Sequence, residues 1–382
     1  MSVYINDLAT FLPNQPVSNE QMEEVLGMVN QVPSRTRRII LRNNKIKTRY
    51  YALDPKTGES THTNAQLSAE AIRNLQPYAN FSVADIECLS CGSSSPDQIV
   101  PGHAAMVHGE LGGNVCDIAS TAGICVSGMS ALKYAWMNVA LGLSTNAVAC
   151  GSEFSSSYLR ARMCADIDPT KIDRLETQPS LSFEADFLRW MLSDGAGAAY
   201  LSKQQNPDKI SLRIDWIDIL SFANEMETCM YAGADKLEDG SLFGWREHSS
   251  PAVALRNNSF MLKQDVKLLN NKVMEITVER ALSMVKKKHN LVADEIDWFL
   301  PHYSSDYFRL RVKEKIDKIG LPIPLEKWYS NLAEKGNTGS ASMFIIMADL
   351  LHSGKLKKGD RLLCFVPESG RFSVCYMHLT VC

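Results

Sequence analysis

ASTAGICVSGMSALKYA, residues Ala119 to Ala135, places a cysteine directly in front of a run that reads as a helix. From Cys125 the pattern stays apolar on nearly every side through Leu141, broken only by Lys133 and Asn138, and Gly142 stands where a helix can end. Such a helix belongs inside a protein. The segments around it decide the fold class, since "ADIECLSCGSSS" and "NVCDIAS" before it and "NAVACGSE" after it are apolar strand candidates, with "HAAMVHGELGG" between the first two. Strands alternating with helical patterns predict an α/β layer fold with buried strands.

Further along, Met274, Val278, Ala281, Leu282 and Val285 give an i, i+4, i+7, i+8, i+11 stripe that predicts one amphipathic helix. The strand "IDWFLPHYSS", the helix "GSASMFIIMADLLHSG" and the strand "RLLCFVPESG" follow. Because "ADIECLSCGSSSPD" and "DEIDWFLPHYSSDY" share an acidic approach to a strand and a polar loop at its end, the order strand, loop, helix, strand reads as occurring twice. Residues 154–190 interrupt the first half without strand alternation. A segment of that length with its own aromatics reads as a functional cap.

Composition excludes several classes. The 382 residues carry 40 basic and 43 acidic side chains, a net charge of −3, so no overall positive field recruits nucleic acid. No stretch of about 18 apolar residues spans a membrane, and "MSVYINDLATFLPN" lacks the basic-then-apolar pattern of a signal peptide. Ten cysteines without such a signal read as thiols of a cytoplasmic protein. Cys88 and Cys91 form a CxxC, but on a strand their side chains point to opposite faces; no second pair or His cluster joins them, so neither a metal nor another cofactor is expected.

Three residues carry chemistry. A thiolate is the nucleophilic form of cysteine, and a helix N-terminus with its unpaired N–H groups favours it, so Cys125 stands where activation is expected. Taken alone it could equally be a small core residue. His302 ends the strand "FLPHYSS", a position where the imidazole is expected to be exposed at the sheet edge. Asn337 sits in the Gly-flanked turn "EKGNTGSAS" before a helix of small residues; a loop His can be merely solvated and such an Asn a turn former.

Together, in this order, the three resemble the condensing enzymes of the thiolase fold, most closely the 3-ketoacyl-carrier-protein synthase III group. The nucleophile motif of that family matches Cys125 with Ala131 and Leu132. Further matches are "SDGAGA" from Ser193 to Ala198, "PHY" with His302, "GNTGSAS" with Asn337, "LKKGD" ending at Asp360, and "SSSPDQIVPGHAAMV" from Ser93 to Val107. The resemblance implies a thiolase-like duplicated five-layer αβαβα fold, with residues 1–205 carrying the cysteine, including the cap, and 206–382 carrying the histidine and asparagine. It implies that Cys125 takes an acyl group from a thioester, while His302 and Asn337 hydrogen-bond the incoming thioester as it becomes an enolate for Claisen condensation. Backbone N–H groups of Cys125 and of the loop near Gly370 would hold the oxyanion.

The departures are specific. The glycine-lined last loop of the family is here "PESGRF", Pro367 to Phe372, which brings Glu368 and Arg371 near the site. The early coenzyme A motif is here "RNNKIKTR", Arg42 to Arg49, with no tryptophan shortly before it, so delivery by an acyl carrier protein is the better-supported route beside coenzyme A. Arg35, Arg37, Arg38 and Arg42 could meet an acidic carrier or form a plain solvated face. In the homodimers of the family, the residue aligned with Val100 closes the end of the partner's acyl tunnel. With Arg42 and Glu368 it completes the expected substrate contacts. The added length and altered last loop resemble the subgroup that joins two acyl chains into dialkylresorcinol or cyclohexanedione lipids. Alternatives are linear 3-ketoacyl synthesis, acyl transfer without carbon–carbon bond formation, and an inactive partner subunit, against which the cysteine itself argues.

Overall fold

The helix after Cys125 runs from Val126 to Leu141, and Gly142 ends it with φ at 76°. The computed structural model describes residues 2–34, 36–164 and 187–382. Nine strands form the main sheet: β1 (Tyr4–Phe11), β2 (Cys88–Ser93), β3 (Asp117–Ala122), β4 (Asn146–Glu153), β5 (Gly195–Ser202), β6 (Leu212–Ser221), β7 (Trp298–Pro301), β8 (Arg361–Pro367) and β9 (Ser373–Val381). Their order is β3-β2-β4-β5-β1-β6-β9-β8-β7.

That order is one pattern written twice. In the first half β2 lies parallel to β3 and β4, and β5 lies antiparallel to β4 and β1. In the second, β7 is parallel to β8, and β9 is antiparallel to β8 and β6. The counterpart of β3 has shrunk to one parallel bridge between Phe299 and Trp328, closed by the Tyr329 N–H donating to the Phe299 carbonyl at 2.9 Å. The halves meet where β1 pairs with β6 through only Tyr4 with Arg213 and Ile5 with Leu212, which lets the two sheets stack as separate layers.

Seven helices complete the layers: α1 (Asn64–Arg73), α2 (His103–Leu111), α3 (Val126–Leu141), α4 (Val266–Met274), α5 (Ala281–His289), α6 (Arg309–Lys318) and α7 (Ser342–His352). The strands alternate between two cores, as a pleat of period two requires. Leu362, Cys364 and Val366 of β8 join the inner core with Met129 and Leu132 of α3 and Met347 of α7, whereas Leu363 and Phe365 join the outer core with Val312 of α6. Cys88 packs in the inner core and Cys91 in the outer one, so the CxxC points to opposite faces as its strand predicts. With α1 and α2 on one side and α4 to α6 on the other, the result is the five-layer thiolase-like arrangement.

The stripe from Met274 to Val285 is buried as expected, but it is not one α-helix. Residues Glu275–Arg280 widen into a π-helix between α4 and α5. The buried Tyr376 hydroxyl donates to the Thr277 carbonyl within it at 2.7 Å, a competing partner that periodicity cannot reveal. Most of the expected cap, residues 165–186, lies outside the described residues. Its flanks include a short helix at Ser156–Leu159.

The Ser340 carbonyl reaches the middle layer because two glycines leave room for it. A Cβ on Gly128 of α3 would lie 2.1 Å from the Ser340 carbonyl oxygen, and one on Gly151 of β4 would lie 2.3 Å from the same atom. The obstacle is backbone, which cannot rotate away. Gly128→Ala is therefore expected to lower stability by about 3 kcal/mol or more, at the upper end for overpacked cores, measured as a shift of the urea midpoint against wild type. A change below about 1 kcal/mol would mean that the turn before α7 yields easily.

Candidate active site

Cys125 stands at the N-cap of α3 and is buried. The turn that presents it is tied by Ser127, whose N–H and hydroxyl both donate to the Ile124 carbonyl, at 3.1 and 2.6 Å. Thr121 of β3 donates its hydroxyl to the Ser127 carbonyl at 2.7 Å, fixing helix to strand. The surroundings differ from the expected thiolate site. A carboxylate already occupies the helix N-terminus: Glu368 Oε2 accepts from the Ile124 and Val126 N–H groups, both at 3.1 Å. Burial first, then the charges of Glu368 and Glu153, push the Cys125 thiol well above the ordinary cysteine range. These causes favour the protonated thiol over the thiolate that the helix N-terminus alone would stabilise.

His302 follows β7 and extends its pairing by one step, donating its N–H to the Phe365 carbonyl at 2.8 Å. Its ring is not exposed at a sheet edge but 4% accessible, because Tyr303 and Phe308 of the following segment pack into the outer core. Burial drives its pKa down to about 4, which leaves a neutral imidazole able to donate one hydrogen bond. Asn337 is held by backbone on both sides: its N–H donates to Met191, and Ser193 donates to its carbonyl at 2.8 Å. This explains the "SDGAGA" segment, whose first residue is the donor. The Gly339 N–H donates to Asn337 Oδ1 at 3.0 Å, so the side-chain NH₂ is the end left to serve a ligand.

Cys125, His302 and Asn337 line one cavity of about 80 Å³. Its polar end also holds Glu153, Ser94 and Ser95; elsewhere it is walled by Leu188 and Met191 on one side and by Leu269, Val273, Phe308 and Val312 on the other. Glu153 was not singled out from sequence, although a carboxylate closing a wholly buried strand is a legible signal. It accepts from the hydroxyls of Ser94 and Ser95 at 2.6 and 2.9 Å and from the Ser340 N–H at 3.0 Å, and burial raises its pKa. Asp194 was missed likewise; buried, it accepts from Ala52 and Ser156, and its pKa rises to about 7 through burial.

The remaining expected residues lie elsewhere. Glu368 and Gly370 stay outside the cavity lining, to which the hairpin contributes Pro367 and Ser369 instead. The Gly370 carbonyl accepts from Cys229 and Met230, because the hairpin turns it toward that segment. Arg42 is exposed on the short helix Arg37–Asn44 and does not line the cavity. Arg37 pairs with Glu23 at 3.2 Å and lies 5.2 Å from the centre of the Trp190 ring, so it serves packing; Arg38 is largely exposed, and Arg35 lies outside the described residues. Arg49, from the coenzyme A-like motif, is buried and donates to Asn19 and Trp190. Val100 is 78% accessible and lines no part of its own chain's cavity. Among the described residues no three His, Cys, Asp or Glu side chains stand together as metal ligands, and no helix is long and apolar enough to cross a membrane.

The pKa of His302 has a measurable sign. Lowered from 6.5 to about 4, it keeps the folded ring neutral where an unfolded histidine would already be charged. Its contribution to stability is thus complete above pH 6.5 and is lost as pH falls toward 4. In ¹H–¹³C NMR the His302 ring resonance, assigned with His302→Gln, should stay at its neutral position down to about pH 5; a midpoint above 6 would contradict the burial argument.

Comparison with known proteins bears on the fold. Residues 287–371 match the family model described as 3-oxoacyl-[acyl-carrier-protein] synthase III C terminal. The chain is 24% identical over 357 residues to the beta-ketoacyl-[acyl-carrier-protein] synthase III of Clostridium perfringens, covering 92% of this chain and 91% of that protein. Among solved structures, AbyA1, a tetronic acid condensing enzyme, superposes with a TM-score of 0.74 at 20% identity over 99% of both chains. OleA of Xanthomonas campestris with bound lauric acid and lauroyl-CoA gives 0.73 at 18% identity, over 100% of this chain and 99% of that one. The fold is therefore the thiolase-like one these proteins share.

Proposed function

We propose that the protein is a synthase III-like condensing enzyme that forms a carbon–carbon bond between two acyl thioesters through an acyl-Cys125 intermediate. The observation that carries this reading is the single cavity in which Cys125, His302 and Asn337 meet an apolar wall. Cys125 attacks the carbonyl of a first thioester, its sulfur gains the acyl group, and the donor leaves as a thiol. The Cys125 N–H, lying between the two amides that Glu368 takes, is available to the tetrahedral oxyanion. A second thioester then places its carbonyl oxygen against the neutral His302 N–H and the Asn337 NH₂. As its α-proton leaves, these donors hold the enolate, whose carbon attacks the acyl carbonyl and releases Cys125. Donors preorganised in this way are worth about 3 kcal/mol each.

The finer reading is that both partners are fatty-acyl derived and yield a dialkylresorcinol or cyclohexanedione precursor. The apolar side chains contributed by both halves support long chains, since each buried CH₂ adds about 0.8 kcal/mol. Delivery on a phosphopantetheine arm, of a carrier protein or coenzyme A, is supported by a second cavity of about 190 Å³ lined by Lys45, Arg309 and Trp328, which shares Tyr303 with the first. A homodimer is supported at the free edge of the sheet, where Ile99, Val100, Val115 and Ile118 are exposed. A patch of that kind at an open strand edge invites pairing.

Two experiments test this. Incubation with an acyl-CoA followed by intact mass should add one acyl group in wild type and none in Cys125→Ala. His302→Ala and Asn337→Ala should still acylate but lose condensation by about a hundredfold or more. Loss of acylation in both variants would assign them to thiol activation. Ile118→Arg should shift the sedimentation coefficient from dimer to monomer, and an unchanged value would move the interface elsewhere.

A further inference from the structure

The altered last loop has a consequence of its own, resting on the reading of Cys125 as the acyl acceptor. Glu368 ends β8, and its N–H donates to the Ser373 carbonyl across the hairpin at 2.8 Å, so the backbone that carries it is tied into the sheet. Its Oε2 accepts from the amides of Ile124 and Val126, the residues on either side of Cys125. Gly370 leaves space for it, since a Cβ there would stand 3.1 Å from Glu368 Oε1. The carboxylate is 8% accessible, and Oε1 is left over from the amide bonding. A buried carboxylate aimed at the one helix turn that carries the nucleophile is more than a cap, because a cap needs no burial beside a thiol.

We propose that Glu368 is the proton acceptor for Cys125 in the acylation step. As the sulfur attacks the thioester carbonyl, the S–H proton passes to Glu368; a C–S bond forms, the carbonyl π pair moves to oxygen, and the tetrahedral adduct then expels the donor sulfur. Glu368 returns the proton to that leaving thiolate, so thioester and thiol are exchanged with no other reactant. The ionisable groups around it fit this role. The charge of Glu368 acts on the Cys125 thiol, and Glu153 and His302 border the same cavity as the sulfur. Arg371, on the same hairpin, turns away to donate to the Met226 carbonyl at 2.8 Å. Burial raises the Glu368 pKa against the lowering effect of the two amides, which brings the acid nearer the thiol it serves.

Glu368→Gln keeps the shape and can keep accepting from the amides while removing the charge and the basic oxygen. With octanoyl-CoA as probe, first-turnover acylation in the variant should slow by about a hundredfold at pH 7. Alkylation by iodoacetamide, which needs only preformed thiolate, should quicken by up to about tenfold, because the carboxylate no longer repels the thiolate. Glu368→Asp should recover part of the acylation rate. Opposite movement of the two rates is the signature, since a merely structural defect slows both. Acylation at the wild-type rate, or a parallel fall of both reactions, overturns the proposal. If Glu368→Gln does not fold, the wild-type rate decides: acylation rising between pH 5 and 8 through an ionisation absent from the alkylation profile supports the role, and a flat profile overturns it. Failure of the wild-type enzyme to form any adduct would instead defeat the reading of Cys125 itself.

Discussion

The structure depends on one close approach, that of the Ser340 carbonyl to the backbones of Gly128 and Gly151. Ser340 belongs to the second half of the chain, Gly128 and Gly151 to the first. Where they touch, the nucleophile helix, a central strand and the turn carrying Asn337 are brought to one point. Ser340 adds hydrogen bonds there, donating its hydroxyl to the Ser152 carbonyl at 2.8 Å and its N–H to Glu153. The geometry of the proposed site is thus a by-product of how the two halves are locked.

Around this lock the polar interior is unusually acidic. Glu153, Asp194 and Glu368 are all buried, and each is held by N–H or hydroxyl donors rather than by a cation. Donors of that kind satisfy a carboxylate without cancelling its charge. Burial and the charges of Glu368 and Glu153 disfavour the thiolate, so chemistry at Cys125 requires that a proton be moved rather than a thiolate be waiting. His302, kept neutral by the same burial, gives a hydrogen bond without adding a positive charge that would be drawn to these acids.

Much of this was legible from residues alone. The nearly continuous apolar pattern after Cys125, the turn residues around Asn337 and the repeated strand approach led to the helix, the turn and the doubled sheet, because each is set by local pattern. What escaped depended on contacts distant in sequence. The π-helix at Glu275–Arg280 answers a hydroxyl from Tyr376, and the thiol of Cys125 answers a carboxylate 243 positions along the chain from it. Motif matching placed Glu368 and Gly370 near the site but could not tell that the hairpin would turn one onto the helix terminus and the other toward Cys229. Arg42, expected at the substrate from the same motif, instead lies exposed on the helix Arg37–Asn44, while Arg49 at the motif's end holds Asn19 and the Trp190 backbone.

The unequal ends of the sheet bear on how the molecule can assemble. β3 leaves its outer edge open, whereas the opposite margin ends in the single bridge at Trp328, whose indole packs edge-on against Phe299 with ring centres 4.8 Å apart. A sheet with two adhesive margins could add copies head to tail without limit, and fibres would follow. With one margin blunted, pairing through the open edge of β3, the edge assigned to the proposed homodimer, could not propagate from copy to copy.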